Sequence, residues 1–153
     1  LFVDLDFMFT LFLMIIDETD NLEYFLFKYN ISKKDQKRAY AISNFYNEKN
    51  GSKTLNEVNL NKVLYYDGKQ AVLDILNFKI IKTKKVDKKL FSLLELYKNM
   101  IVPSLPIKAD LLMTKYKISE GKQLGSMLKQ IEEEWIKNNF KISDKQVDNI
   151  VKG

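Results

Sequence analysis

Helix-start signals recur along this chain, each followed by apolar residues at spacings of three and four. Ser32-Lys33-Lys34-Asp35 precedes Ala39, Ile42, Phe45 and Tyr46. Thr54-Leu55-Asn56-Glu57 precedes Val58, Leu60, Val63 and Leu64, and Ser143-Asp144-Lys145-Gln146 precedes Val147, Ile150 and Val151. A Ser or Thr with an acid or amide three residues on satisfies two of the amides that a helix start leaves open. The spacing that follows gathers the apolar groups on one face. Asn50-Gly51 and Asp67-Gly68 supply the stops, since Gly takes the left-handed turn that ends a helix. With only 5 Gly and 2 Pro in 153 residues, the turn chemistry of a β-sandwich is missing. The fold class is therefore all-α, an array of about eight short helices.

Asp20 and Asp87 are expected to cap two further helices, and Gly121 to open a longer one bearing Leu124, Leu128, Ile131 and Trp135. A short helix is expected over 69–77. The stretch Phe78–Val86 interrupts the pattern, so the segment near 78–84 is read as a short strand or an irregular crossover. Leu90, Leu93, Leu94, Tyr97, Met100 and Ile101 form one apolar face, and Pro103 and Pro106 then force an extended link. That link divides a helical body, 1–102, from a C-terminal helical tail, 103–153.

The run Phe7–Ile16 is apolar apart from Thr10. It is too short to cross a bilayer, which takes about 20 residues. Asp4 and Asp6 before it replace the positive charge that opens a signal peptide. A buried helix is expected, with residues 1–17 docking on a part of the protein upstream of this sequence. No membrane partner is expected, and a cytoplasmic location is.

The sequence has no His and no Cys. That excludes disulfides, Cys/His zinc sites and Ser–His or Cys–His nucleophiles. Asp4 and Asp6 have the spacing of a carboxylate pair that holds magnesium in nucleotidyl transfer, but the better reading is two acids at a helix start, where they suit the dipole. Glu132-Glu133-Glu134 occupy adjacent helical positions and cannot converge on one ion, so they are expected to be a solvated face. No catalytic residue and no metal ligand is assigned.

Net charge is +5, unevenly placed. Residues 1–27 carry six acids and no Lys or Arg, whereas residues 28–153 carry 25 basic and 14 acidic residues, a net of +11. A basic body of this size suits a polyanion, with nucleic acid favoured over membrane. Lys33, Lys34, Lys37 and Arg38 cluster at a helix start, which itself favours anions. Lys79, Lys82, Lys84, Lys85, Lys88 and Lys89 form a second group, either phosphate contacts or a solvated loop. Most Tyr and Phe fall at core positions; Tyr65, Tyr66 and Tyr116 sit at element ends, where stacking on bases is open to them. Gly121-Lys122-Gln123-Leu124-Gly125 fits either an anion site or a close helix–helix contact, with packing the plainer reading.

Residues 105–142 resemble the C-terminal part of the bacterial tRNA nucleotidyltransferase (CCA-adding enzyme) and poly(A) polymerase family. Asp110-Leu111 matches its Asp-Leu, Gly121 and Gly125 its two glycines with Leu124 in the Ile place, and Trp135, Phe140 and Ser143 its close. Ile31 to Arg38 is similar to a family helix start. Lys108 stands where the family has Gly, and Glu120 and Lys122 stand where it has Pro. The resemblance implies the body and tail of such an enzyme without its catalytic head. Those parts would hold tRNA or another RNA and position its 3′ end. Lys33, Lys34, Lys37, Arg38, Lys108, Asp110, Gly121, Lys122 and Gly125 are the candidate RNA-binding residues. Magnesium and CTP or ATP would belong to the head, in the same gene or as a separate chain. Whether CCA or poly(A) is added would be decided there as well. The rival reading is a non-catalytic protein-interaction module with no RNA role.

Overall fold

The computed structural model describes residues 6–47 and 53–153. Among them there are nine helices and no strand: α1 (Phe7–Ile15), α2 (Asn21–Lys28), α3 (Lys33–Tyr46), α4 (Glu57–Asp67), α5 (Lys69–Lys82), α6 (Lys88–Asn99), α7 (Ala109–Tyr116), α8 (Lys122–Lys137) and α9 (Asp144–Lys152). The all-α expectation holds, with nine helices in place of about eight. Asn50-Gly51 lies outside the described residues.

The segment near 78–84 is corrected. Phe78–Lys82 continues α5, and only residues 83–87 are irregular. The reason lies in packing. α5 is the central helix and contacts α3, α4 and α6. Ala71, Val72, Ile75, Leu76 and Phe78 are all buried on it, so its apolar groups surround the axis and the one-sided helical period fades.

Two cap assignments also change. Asn56, not Thr54, caps α4, its side chain accepting from the Asn59 amide at 2.9 Å. Asp20 makes no side-chain cap on α2. Ser32, Asp87 and Ser143 cap as expected, Ser143 within a complete capping box with Gln146.

The large core is built from α1 to α6. Phe9 and Phe12 of α1, Ile42 and Phe45 of α3, Leu60 and Leu64 of α4, Ile75 and Leu76 of α5, and Tyr97 of α6 are almost wholly buried in it. The inner face of the N-terminal apolar run thus packs within this chain. Its outer face does not: Phe7 and Met14 are exposed. A second, smaller cluster joins Leu112 of α7, Leu124 and Ile131 of α8, and Val147 of α9.

α8 links the two. Its C-terminal end places Trp135 edge-on against Tyr65 of α4, with ring centroids 5.4 Å apart, and against Phe140 at 5.0 Å. The chain then turns through Asn139 (φ 54°) and Phe140 (φ 60°). The Phe140 amide donates to the Trp135 carbonyl at 2.8 Å, which closes the helix end in the Schellman manner with Asn in the usual Gly place. Asn139 also accepts from Asn61 Nδ2 at 2.9 Å, and Asn61 Oδ1 accepts from the Tyr97 hydroxyl at 2.8 Å. A polar chain therefore runs from the α8–α9 turn through α4 to α6. No helix among the described residues is long and apolar enough to cross a membrane.

Candidate nucleic-acid interface

Ser32 fixes the start of α3 by accepting from the Asp35 amide, leaving Lys33, Lys34 and Lys37 exposed on its first two turns. Lys34 and Lys37 line a shallow pocket of about 170 Å³ with Arg38, Asp67, Gln70 and Ala71. The two exposed Lys side chains suit a phosphate oxygen.

Arg38 is placed differently from its three neighbours. It is the single arginine of the sequence, and its side chain is only 11% exposed. Nε and Nη2 donate to Asp74 of α5 at 2.7 and 3.0 Å, and Nη2 also donates to Asp6 at 2.7 Å. Gln70 donates to the same Asp74 at 2.9 Å. A planar fork that pairs bidentately with a buried carboxylate is what arginine offers and lysine cannot. Asp74 and then Asp6 hold the guanidinium proton more tightly than usual, against the opposing pull of burial. Burial works to raise Asp6, but Arg38 and the Phe9 amide outweigh it and hold the carboxyl below its ordinary value. Arg38 thereby ties α1, α3 and α5 together and faces inward.

The Asp4/Asp6 pair can be judged only at Asp6, since Asp4 lies outside the described residues. Both oxygens of Asp6 are engaged, one by the Phe9 amide at 2.8 Å as the N-cap of α1 and the other by Arg38. No set of three acids among the described residues converges on one point. Asp6 is thus committed to the α1 cap and to Arg38.

In the tail, Lys108 is the N-cap residue of α7 and Asp110 lies in its first turn, both exposed. Neither α7 nor α8 has a side-chain N-cap, so both leave first-turn amides open. Gly121 precedes α8 at φ 146°, a conformation that side chains rarely adopt. Gly125 sits one turn into α8, exposed, and a Cβ built there would meet nothing within 4 Å. The close helix–helix contact expected at Gly125 is therefore not made by any of the described residues.

The α3 group and the tail group lie on helices that share α4 as a neighbour. α3 packs on α1, α4 and α5, and α7 packs on α8, which in turn contacts α4 and α9. No hydrogen bond or ion pair among the described residues links the two groups.

The tyrosine candidates and two of the three acids at 132–134 are engaged internally. Tyr66 donates to Glu132 at 2.6 Å, which pushes its hydroxyl up to about 12. Tyr65 packs on Trp135, and the Tyr116 hydroxyl donates to Asp148 of α9. Glu134 accepts from Asn138 at 2.8 Å. The acid run is thus a body–tail fastening at Glu132 and a helix-end brace at Glu134, and only Glu133 is left to solvent. Sequence reasoning missed Asp74, Asn61 and Asn139. Asp74 had a signal: one acid inside the apolar run Ala71-Val72-Leu73-Asp74-Ile75-Leu76, in a chain with one Arg to meet it. Asn61 and Asn139 had none, because their pairing spans 78 residues.

The family model described as tRNA nucleotidyltransferase domain 2 matches residues 5–148. No curated protein and no solved structure matches the chain.

Proposed function

Because this chain belongs to the tRNA nucleotidyltransferase domain 2 family, we propose that it grips RNA through the start of α3 and the α7–α8 unit, holding the 3′ end for nucleotide addition. Lys33, Lys34, Lys37, Lys108 and Lys122 are its phosphate contacts. Arg38 is their scaffold, since its Nε and Nη2 are engaged by Asp74 and Asp6 while Nη1 lies 3.7 Å from Asp35. Asp110 and Gly121 shape the two helix starts. Nucleotidyl transfer, with its magnesium and CTP or ATP, belongs on this reading to a catalytic region outside residues 1–153. The exposed Phe7, Met14, Tyr24 and Phe27 of α1 and α2 are the surface offered to it.

The observation that carries this reading is Gly125. A glycine inside a helix costs about 1 kcal/mol against alanine. Here nothing among the described residues crowds the position, so packing among them gives no reason for it. A backbone left bare beside Lys122 and the open amides of α8 suits the close approach of another molecule with phosphate oxygens.

Gly125→Ala tests it, with thermal unfolding and tRNA affinity measured on the same preparation. Higher stability together with weaker tRNA binding is expected. Higher stability with unchanged tRNA binding would favour the protein-interaction module over the RNA grip.

A further inference from the structure

The lysines at the turn between α5 and α6 lie outside the contacts just proposed. All six, Lys79 to Lys89, are exposed, and none has a carboxylate within ion-pairing distance among the described residues. They divide in two. Lys79 and Lys82 line a pocket that Asp17 and Glu18 also line, so acids of the α1–α2 loop face them. Lys84 and Lys85 line a separate small cavity with Asp87, and Lys88 and Lys89 are the first residues of α6. Asp87 is the one acid in the stretch, and its Oδ1 is occupied by the Lys89 amide at 2.8 Å, capping α6. Four like charges crowded on one short turn repel one another, and a chain of phosphates relieves that repulsion.

We infer that Lys84, Lys85, Lys88 and Lys89 form a further phosphate-backbone contact, for a double-helical RNA stem. The inference rests on the family reading above and adds a surface to it. A stem is favoured over unpaired RNA because the turn has no stacking platform. Phe78 is buried and Phe91 half-buried in the fold, and the exposed apolar side chains there, Ile81 and Val86, are aliphatic. Single-strand binders place aromatic rings where bases can stack, whereas stems are held by backbone and shape. A membrane is disfavoured for a similar reason, since interfacial segments carry Trp, Phe or Leu on an apolar face.

α5 acts as a spacer between this turn and the α3 contact. Its first residues, Gln70 and Ala71, line the Lys34/Lys37 pocket, and its 14 residues span about 20 Å. At that separation the two contacts contribute independently, and substitutions in them add.

The test is a variant with Lys84→Gln, Lys85→Gln, Lys88→Gln and Lys89→Gln. Its binding to a tRNA transcript and to an unpaired RNA of equal length is followed across a salt series. All four side chains are exposed, and two lie in the first turn of α6, where losing positive charge does not harm the helix. Expected is a tRNA affinity about 10-fold or more weaker at low salt, a log–log salt slope shallower by about two to four, and little change on the unpaired RNA. Unchanged tRNA affinity and slope, while the native chain binds tRNA, would overturn this inference and leave the family reading standing. An equal loss on unpaired RNA would overturn the assignment to a stem. Loss confined to phosphatidylserine vesicles would overturn it in favour of a membrane surface. A native chain that binds no tRNA at any salt would remove the family reading and this inference together.

Discussion

The body and the tail are held by different means. In the body, six helices surround a continuous apolar core, and one charge cluster, Arg38 with buried Asp74 and half-exposed Asp6, joins three of them. In the tail, four buried side chains make a small cluster, and α8 is fastened to the body by buried Trp135 against Tyr65 and by the polar pairs Tyr66–Glu132 and Asn61–Asn139. Burial scales with the surface removed from water, so a small cluster contributes less than a large one. The body should stand without the tail, whereas the tail depends on the body.

The strongest way to break that contrast is Arg38→Ala. It leaves Asp74, 2% exposed, as a buried charge without its partner, and such losses run to about 3–5 kcal/mol. Denaturant unfolding should show the loss in the body, with the tail carried along. Arg38→Met combined with Asp74→Leu should recover most of it, because an apolar pair of similar volume replaces the ion pair.

Leu112→Ala probes the other side. Leu112 is wholly buried in the small cluster, and its truncation should cost about 2–3 kcal/mol. Amide hydrogen exchange should quicken in α7 to α9 while α5 keeps its protection. Equal quickening in α5 would show that the two regions unfold as one.

Asn139 sharpens the comparison at the joint. Asn139→Gly keeps the left-handed turn and loses only the bond to Asn61, whereas Asn139→Ala loses the bond and strains the turn. The alanine variant should be less stable than the glycine variant by about 1 kcal/mol, measured as a difference in unfolding midpoint.

The smallest effects follow pH. Asp6 in the body and Asp148 in the tail both have carboxyls held below the ordinary value: Asp6 despite burial, by Arg38 and the Phe9 amide, and Asp148 by the Tyr116 hydroxyl. Their stabilisation is present above the unfolded value of about 4 and is lost as pH falls through the folded values. Tyr66 has the opposite sign. Its hydroxyl is raised to about 12 by Glu132, so its contribution is present below about 10 and is lost as pH rises through 12. Asp6→Asn should flatten the acid side of the stability profile, and Tyr66→Phe the alkaline side. Both are small, since Asp6 is half exposed and Tyr66 is 53% exposed.

The same contrast explains what was legible in the sequence. Helices with one buried face announced themselves: the Ser32 and Ser143 caps hold, and so does the α6 period from Leu90 to Tyr97, whereas the helix ends at Asn99 and Ile101, expected on the same face, is exposed. α5 was cut short at 77 because a helix packed on three sides carries apolar residues all round, and its end then looks like a strand. The basic cluster at 33–38 was found as a group, but a string of residues cannot tell a solvated guanidinium from one paired 36 residues away with Asp74. Gly125 was given to packing because glycine on a helix serves close approach. Only the fold shows that no described residue makes that approach.

The central claim is that this chain grips RNA by its phosphates. The direct measurement is its affinity for a tRNA lacking the 3′ CCA across a salt series. A linear fall of log K with log salt, with a slope of several phosphates, is the result predicted. Absence of binding even at low salt would contradict it.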